Sequence, residues 1–231
     1  MPAILCFGDS NTWGYDPDVS LPSPVPVRHP AAVRWTGILA AALGPAFEIT
    51  GAGQNGRTTV FEDPHYPGRN GRVALPIFLD TFKPLDLVIL MLGTNDLKTV
   101  FHAPPREIAA GAAALIRLIR QSESGPGGEP PGILLVCPPA AGPFDDLPEL
   151  AEKFEGAAAR SRQLSGPYQA VAGQYGCSFL DAQPLVTPSP ADGLHLDATQ
   201  HRRLGEAIAA AVRKVFPHQA SAPGQSGCKQ D

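Results

Sequence analysis

Basic residues do not predominate in this chain: 18 Lys and Arg stand against 22 Asp and Glu, a formal net charge of −4 at pH 7. No positive field is available to hold a nucleic-acid backbone or an anionic membrane surface. Long apolar runs are missing too, and no stretch approaches the roughly 18 residues that a membrane span needs. Met1 leads directly into Ala3-Ile4-Leu5-Cys6-Phe7 with no basic segment ahead of it, which reads as a first strand and not as a secretory signal. Cysteine is scarce: Cys6, Cys137, Cys177 and Cys228, with no CxxC pair. Three of them stand in or beside apolar runs, as free thiols of a reducing compartment do, so a cytoplasmic protein is expected. His29, His65, His102, His201 and His218 are scattered, none at ligand spacing from a second His or Cys, and no metal site is expected.

What is present describes a folded domain. The chain is 43% hydrophobic and 17% charged, the range of globular proteins. At about 150 residues per domain, 231 residues fit one large domain with trimmings better than two. The 24 glycines and 26 prolines follow no collagen-like period and point to long ordered loops around a compact centre.

Short apolar runs at Ala3–Phe7, Phe47–Thr50, Leu87–Leu92, Ile133–Cys137 and Cys177–Leu180 read as buried strands. Helical spacing fills Arg34–Leu43, Gly71–Phe82, Arg106–Gln121, Glu152–Tyr175 and Thr199–Phe216. In the third of these, Ile108, Ala112, Leu115, Ile116 and Ile119 share a face while Arg117 and Arg120 point away. Pro167 predicts a kink or break within Glu152–Tyr175. Strand and helix alternate, so the expected fold is α/β: a three-layer α/β/α sandwich on a five-stranded parallel sheet, with ligands beyond the carboxyl ends of the strands. The domain is expected to cover 1–217, with 218–231 a polar, disordered tail. Segments 16–32 and 58–70 read as irregular but ordered loops, suited to wall a site or a subunit contact.

The chemistry lies in the residues just beyond the strands. Gly8-Asp9-Ser10-Asn11-Thr12-Trp13-Gly14 comes after the first, Gly51 to Thr59 after the second, and Gly93-Thr94-Asn95-Asp96 after the third. Asp192-Gly193-Leu194-His195 comes after the fifth. A serine hydroxyl becomes a nucleophile when a base takes its proton, and histidine titrates in the useful range. Asp192 and His195 sit close enough on one loop for the carboxylate to fix the imidazole tautomer. Backbone N–H groups at Ser10 and Gly56, with the Asn95 amide, could converge on a developing oxyanion. The bland alternatives are a helix N-cap at Ser10, turn residues at Asn95 and Asp192, and structural roles for Asp9 and Asp96.

Gly51-Ala52-Gly53-Gln54-Asn55-Gly56 also fits the G-x-G-x-x-G dinucleotide fingerprint. That fingerprint needs a helix opening directly behind it. Arg57 to Pro64 shows no helical face, so nucleotide binding is rejected. Arg57 is expected to anchor its loop by hydrogen bonds. Trp13, Phe101 and Phe144, on loops near these blocks, are candidates for the wall of a substrate pocket.

In order, Gly8-Asp9-Ser10, Gly53 to Gly56, Gly93-Thr94-Asn95-Asp96 and Asp192-Gly193-Leu194-His195 resemble the four blocks of the SGNH (GDSL-type) hydrolase family. The longer strings Gly8 to Gly14, Asn55 to Thr59 and Leu85 to Asp96 resemble its bacterial arylesterase and acyltransferase branch. The resemblance runs from about residue 3 to 216. It implies the flavodoxin-like sheet of that family, with the nucleophile on Ser10 and its partners on Asp192 and His195. The implied oxyanion donors are the Ser10 and Gly56 amides and the Asn95 side chain. Gly56 is preferred to Gly51 and Gly53 because it directly precedes Arg57-Thr58-Thr59. Asn11 stands where the family's usual name has leucine, a departure that bears on the alcohol or acyl side of the site.

The activity implied is hydrolysis of small acyl, acetyl-type esters without metal or organic cofactor, in a homo-oligomer whose neighbouring subunit completes the pocket wall. An acyltransferase or perhydrolase would use the same residues with an alcohol or peroxide as acceptor. A non-catalytic carbohydrate- or ester-binding module would share only the fold.

Overall fold

Leu5 and Phe7 face one way along the first strand, Ile4 and Cys6 face the other, and all four are completely buried. Burial on both faces marks an interior strand of a parallel sheet. The computed structural model describes residues 1–217 except 22, 24 and 145. It contains a five-stranded sheet in the order β2-β1-β3-β4-β5, built from β1 (Ala3–Gly8), β2 (Glu48–Gly53), β3 (Leu87–Met91), β4 (Gly132–Cys137) and β5 (Ser178–Asp181). Every pairing is parallel. The α/β class and the three-layer arrangement are therefore as the sequence indicates.

The helices are α1 (Ser10–Trp13), α2 (Pro17–Ser20), α3 (Trp35–Leu43), α4 (Gly71–Phe82), α5 (Pro105–Arg120), α6 (Pro148–Lys153), α7 (Ala157–Arg162), α8 (Ser165–Tyr175) and α9 (Ala198–Val215). On one face of the sheet, Leu5, Phe7, Val88, Leu90 and Leu135 pack against α4, α5 and α8. On the other, Ile4, Cys6, Ile89, Leu134 and Val136 pack against Trp35 and Leu39 of α3 and Leu204, Ile208 and Val212 of α9. Side chains alternate between faces along each strand, so both layers of helices draw on the same strands. No helix among the described residues is long and apolar enough to cross a membrane.

One helical expectation needs correction. Glu152–Tyr175 is not a helix kinked at Pro167 but parts of three helices. Gly156, at φ +68°, separates α6 from α7, and Gln163 and Leu164 separate α7 from α8. Pro167 lies in the first turn of α8, where its missing N–H would have had no helical partner anyway. The expectation for 218–231 falls outside the described residues.

The irregular segments are tied down. Lys98 Nζ meets Asp63 Oδ2 at 2.6 Å in a buried ion pair that joins the 58–70 segment to the chain beyond β3. Asn70 donates to Val60 O at 3.0 Å, and its carbonyl caps α4 by accepting Arg72 N–H at 2.9 Å. In the 16–32 segment, which contains α2, His29 Nδ1 lies 3.1 Å from Asp16 Oδ2.

The strand order reverses direction at β1, with β2 on one side and β3 on the other, so the ends of β1 and β3 open a crevice. α1 lies directly on the end of β2. A Cβ at Gly53 would stand 2.0 Å from Trp13 N and 2.4 Å from Thr12 C. These are backbone atoms of α1, and no rotamer change can move them. Gly53→Ala is expected to lower stability by about 1–3 kcal/mol in urea titrations, an overpacking penalty. Gly173→Ala, inside α8 with nothing within 4 Å of the added carbon, should instead raise it by up to about 1 kcal/mol. Equal midpoints for the two variants would show that α1 is free to lift from the sheet.

Candidate active site

Ser10 opens α1, but it does not cap it. The cap is Asp9, whose carboxylate accepts the Asn11 N–H at 3.0 Å. Ser10 is only 6% exposed, and its hydroxyl is left to meet His195 Nε2 at 2.9 Å. His195 Nδ1 lies 2.5 Å from Asp192 Oδ2. The other oxygen of Asp192 accepts the N–H groups of Leu194 at 2.9 Å and His195 at 2.8 Å. One carboxylate thus shapes the turn and orients the imidazole. Burial works to raise the Asp192 pKa, yet the hydrogen bond and charge of His195, with the two backbone N–H groups, leave it below the usual carboxylate value. Asp197, which caps α9 by accepting Gln200 N–H at 2.8 Å, fixes the far end of this turn.

Asn95 stands in the turn after β3, buried, and its Nδ2 donates to Arg57 O at 3.2 Å. Gly56 turns the loop beyond β2 at φ +79°, a left-handed conformation that favours glycine. Both loops are joined to the end of β1. Arg57 Nη1 donates to Gly8 O at 2.7 Å and to Ala52 O at 2.5 Å, and its guanidinium carbon lies 4.2 Å from the Phe7 ring centroid. Arg57 is therefore an anchor of its loop. Asp96 accepts the Thr59 N–H and hydroxyl, tying the chain beyond β3 to the 58–70 segment. No helix follows the glycines of β2 until Gly71, consistent with the rejection of a dinucleotide site.

The three aromatic candidates each have a defined neighbour. The Trp13 ring lies against Arg28, whose guanidinium carbon is 5.2 Å from its centroid. Phe101 stacks on Phe61 at 5.1 Å. Phe144 lies beside the Asp192 turn, where a Cβ at Gly193 would be 3.4 Å from its ring. It lines a groove of about 1090 Å³ with Pro143, Leu147, Val186, Pro188 and Asp192, and neither Ser10 nor His195 lines that groove.

Two contacts escaped the sequence. Tyr15 stacks on His195, ring centroids 4.0 Å apart and planes at 27°. Gly14, at φ +91°, ends α1 and reverses the chain to bring Tyr15 there; a glycine four residues past Ser10 was the available signal. Asn11 turns toward the chain that carries His195. It is 2% exposed, and its carboxamide bonds to the backbone of Leu194 and Leu196.

A parallel α/β sheet with a serine, a histidine and an aspartate linked in sequence at its switch point has the layout of a serine hydrolase. The chain belongs to the GDSL-like lipase/acylhydrolase family, whose model matches residues 6–203. It is similar to Est24, a carbohydrate acetylesterase from Sinorhizobium meliloti, at 41% identity and TM-score 0.88, over 94% of this chain and 100% of that one. It resembles the aryl esterase of M. smegmatis at 39% identity and TM-score 0.87, over 93% and 99%. A second carbohydrate acetylesterase family member from S. meliloti matches at 35% identity and TM-score 0.86, over 94% and 100%. A search of curated proteins finds no match.

Two buried carboxyls near the crevice titrate unusually. Burial pushes Asp96 up to about 7 against the Thr59 hydrogen bonds, and the charge of Asp9 adds to the rise. Burial pushes Asp9 up to about 6, with the Asn11 N–H and the charges of His195 and Arg57 opposing it. Unfolded, such groups titrate near about 4, so folding takes up protons between that pH and the raised values. Stability should fall as pH rises through this window, by at most about 1.4 kcal/mol per pH unit for each proton. Asp192 acts oppositely: its contribution is present above about pH 4 and is lost as pH falls through its depressed value. Asp96→Asn should flatten the decline between about pH 4.5 and 7 in denaturant titrations. A decline as steep as in the wild type would mean that Asp96 is ionised throughout.

Proposed function

We propose that the protein is a serine esterase that hydrolyses small acyl, acetyl-type carboxylic esters. The observation that carries this reading is the continuous chain from Ser10 Oγ to His195 Nε2 at 2.9 Å and from His195 Nδ1 to Asp192 Oδ2 at 2.5 Å. As Ser10 Oγ attacks the ester carbonyl, His195 takes its proton, and Asp192 holds the tautomer and stabilises the imidazolium. The Ser10 and Gly56 N–H groups and the Asn95 carboxamide receive the negative oxygen of the tetrahedral intermediate. His195 then gives its proton to the departing alcohol. Water, deprotonated by the same imidazole, attacks the acyl-serine, and the imidazolium returns the proton to Ser10 Oγ as the acid departs. No step calls for a metal or organic cofactor. The small acyl group rests on the likeness to an acetylesterase at 41% identity.

A second acceptor is supported by the dryness of the reacting atoms. Ser10 is 6% exposed, the His195 side chain 13%, and Tyr15 covers one face of the imidazole. Limited water at the acyl-enzyme favours capture by an alcohol or peroxide that fits the crevice. A binding module without chemistry would have no use for a serine held on an oriented imidazole.

Ser10→Ala should abolish turnover of p-nitrophenyl acetate while leaving the thermal transition in place. Residual activity above about one part in a thousand would point to another nucleophile. Asn95→Ala should lower kcat by roughly 10²–10³ with the acyl-enzyme still formed, and an unchanged kcat would remove Asn95 from the oxyanion site. Adding a primary alcohol to the assay should yield new ester in excess of its mole fraction. Products that follow the mole ratio of alcohol to water would leave a plain hydrolase.

A further inference from the structure

The imidazole must be held to within a few tenths of an ångström of the nucleophile, yet Ser10 and His195 are 185 residues apart in the chain. Side-chain packing alone fixes a loop poorly. A loop is fixed when its backbone donors and acceptors all have partners. From Leu194 to Leu196 they do. The Leu194 and His195 N–H groups go to Asp192 Oδ1, and His195 O accepts from Ser189 N at 2.7 Å. Leu196 O lies 3.4 Å from His29 Nε2. The two remaining groups meet one side chain. Asn11 Nδ2 donates to Leu194 O at 3.3 Å, and Asn11 Oδ1 accepts Leu196 N–H at 3.0 Å.

We propose that Asn11 is the positioning residue of the site: its carboxamide clasps the backbone on both sides of His195 to the residue that follows Ser10, and so sets the Ser10–His195 distance. This rests on the esterase reading above. A carboxamide presents a donor and an acceptor side by side, as a peptide group does, and closes the pair like one rung of a parallel ladder. The contact is buried, and Asn11 is itself fixed by its N–H to Asp9 Oδ1 at 3.0 Å. Leucine has a similar volume but satisfies neither backbone group. Aspartate, when ionised, keeps the acceptor for Leu196 and loses the donor for Leu194. In this chain the residue after Ser10 therefore serves the histidine.

The test compares Asn11→Asp and Asn11→Leu with the wild type, using p-nitrophenyl acetate kinetics and the rate at which a fluorophosphonate labels Ser10. A displacement of the base by about 1 Å costs up to about a hundredfold in rate. kcat should therefore fall about tenfold in Asn11→Asp and about a hundredfold in Asn11→Leu, in order of hydrogen bonds kept. KM should stay within about threefold, because Asn11 does not touch substrate, and labelling should slow in parallel with kcat. Val212→Ala, in the α3–α9 core, provides a control for lost stability without contact to the site. If Asn11→Leu does not fold, Asn11→Asp carries the comparison. kcat within twofold of wild type in the folded variants, or a fall that Val212→Ala reproduces at equal melting temperature, overturns the proposal. Failure of the esterase reading would look different: Ser10→Ala would retain turnover, or the wild type would take no label at Ser10.

Discussion

A single hydrogen bond, 2.9 Å long, joins Ser10 to His195, and much of the molecule can be understood as what holds its two ends in place. Ser10 is carried by a four-residue helix too short to be stable alone, so it leans on its surroundings. Asp9 caps it, Gly14 closes it, and the absence of a side chain at Gly53 lets it lie directly on β2. His195 is carried by a turn that Asp192 folds from within and Asp197 fastens to α9. α9 in turn is packed on α3 and the sheet through Leu204, Ile208 and Val212.

The same crevice concentrates buried charge. Asp9, Arg57 and Asp96 are all nearly removed from water, a placement that a core built for stability alone would avoid. Each nevertheless has a definite structural role. Asp9 caps α1, Arg57 draws the β2 loop onto the end of β1, and Asp96 draws in Thr59. The loops that carry Ser10, Gly56 and Asn95 leave different strands, and no continuous secondary structure binds them to one another. Polar side chains reaching across the strand ends supply what backbone ladders cannot.

The sheet and its main helices were legible because they rest on periodicity. Gly71–Phe82 is delimited to the residue by its apolar spacing alone. α1 was not legible, because four residues contain barely one turn and show no period. The breaks among α6, α7 and α8 were misplaced because the sequence marks them with Gly156, while Pro167 is harmless in a first turn. Serine, histidine and aspartate at strand ends could be picked out because reactive side chains are few in kind. Tyr15 could not, and Asn11 stands out only as a departure from leucine, because what each touches depends on direction: one folds back over an imidazole, the other reaches across to a turn nearly the whole domain away.

The position of β1 has a consequence in time. It precedes in sequence both of the strands that flank it, β2 and β3. During synthesis it must wait for its neighbours, and the turn bearing His195 emerges only after the last strand. Parallel pairings of this kind close slowly, because their partners are far apart in sequence. A nascent chain therefore carries Ser10 without its histidine partner until that turn has been made. Ser10 and His195 can meet only after the chain through the turn beyond β5 has been made, so their hydrogen bond belongs to the assembled sheet and not to any part of it.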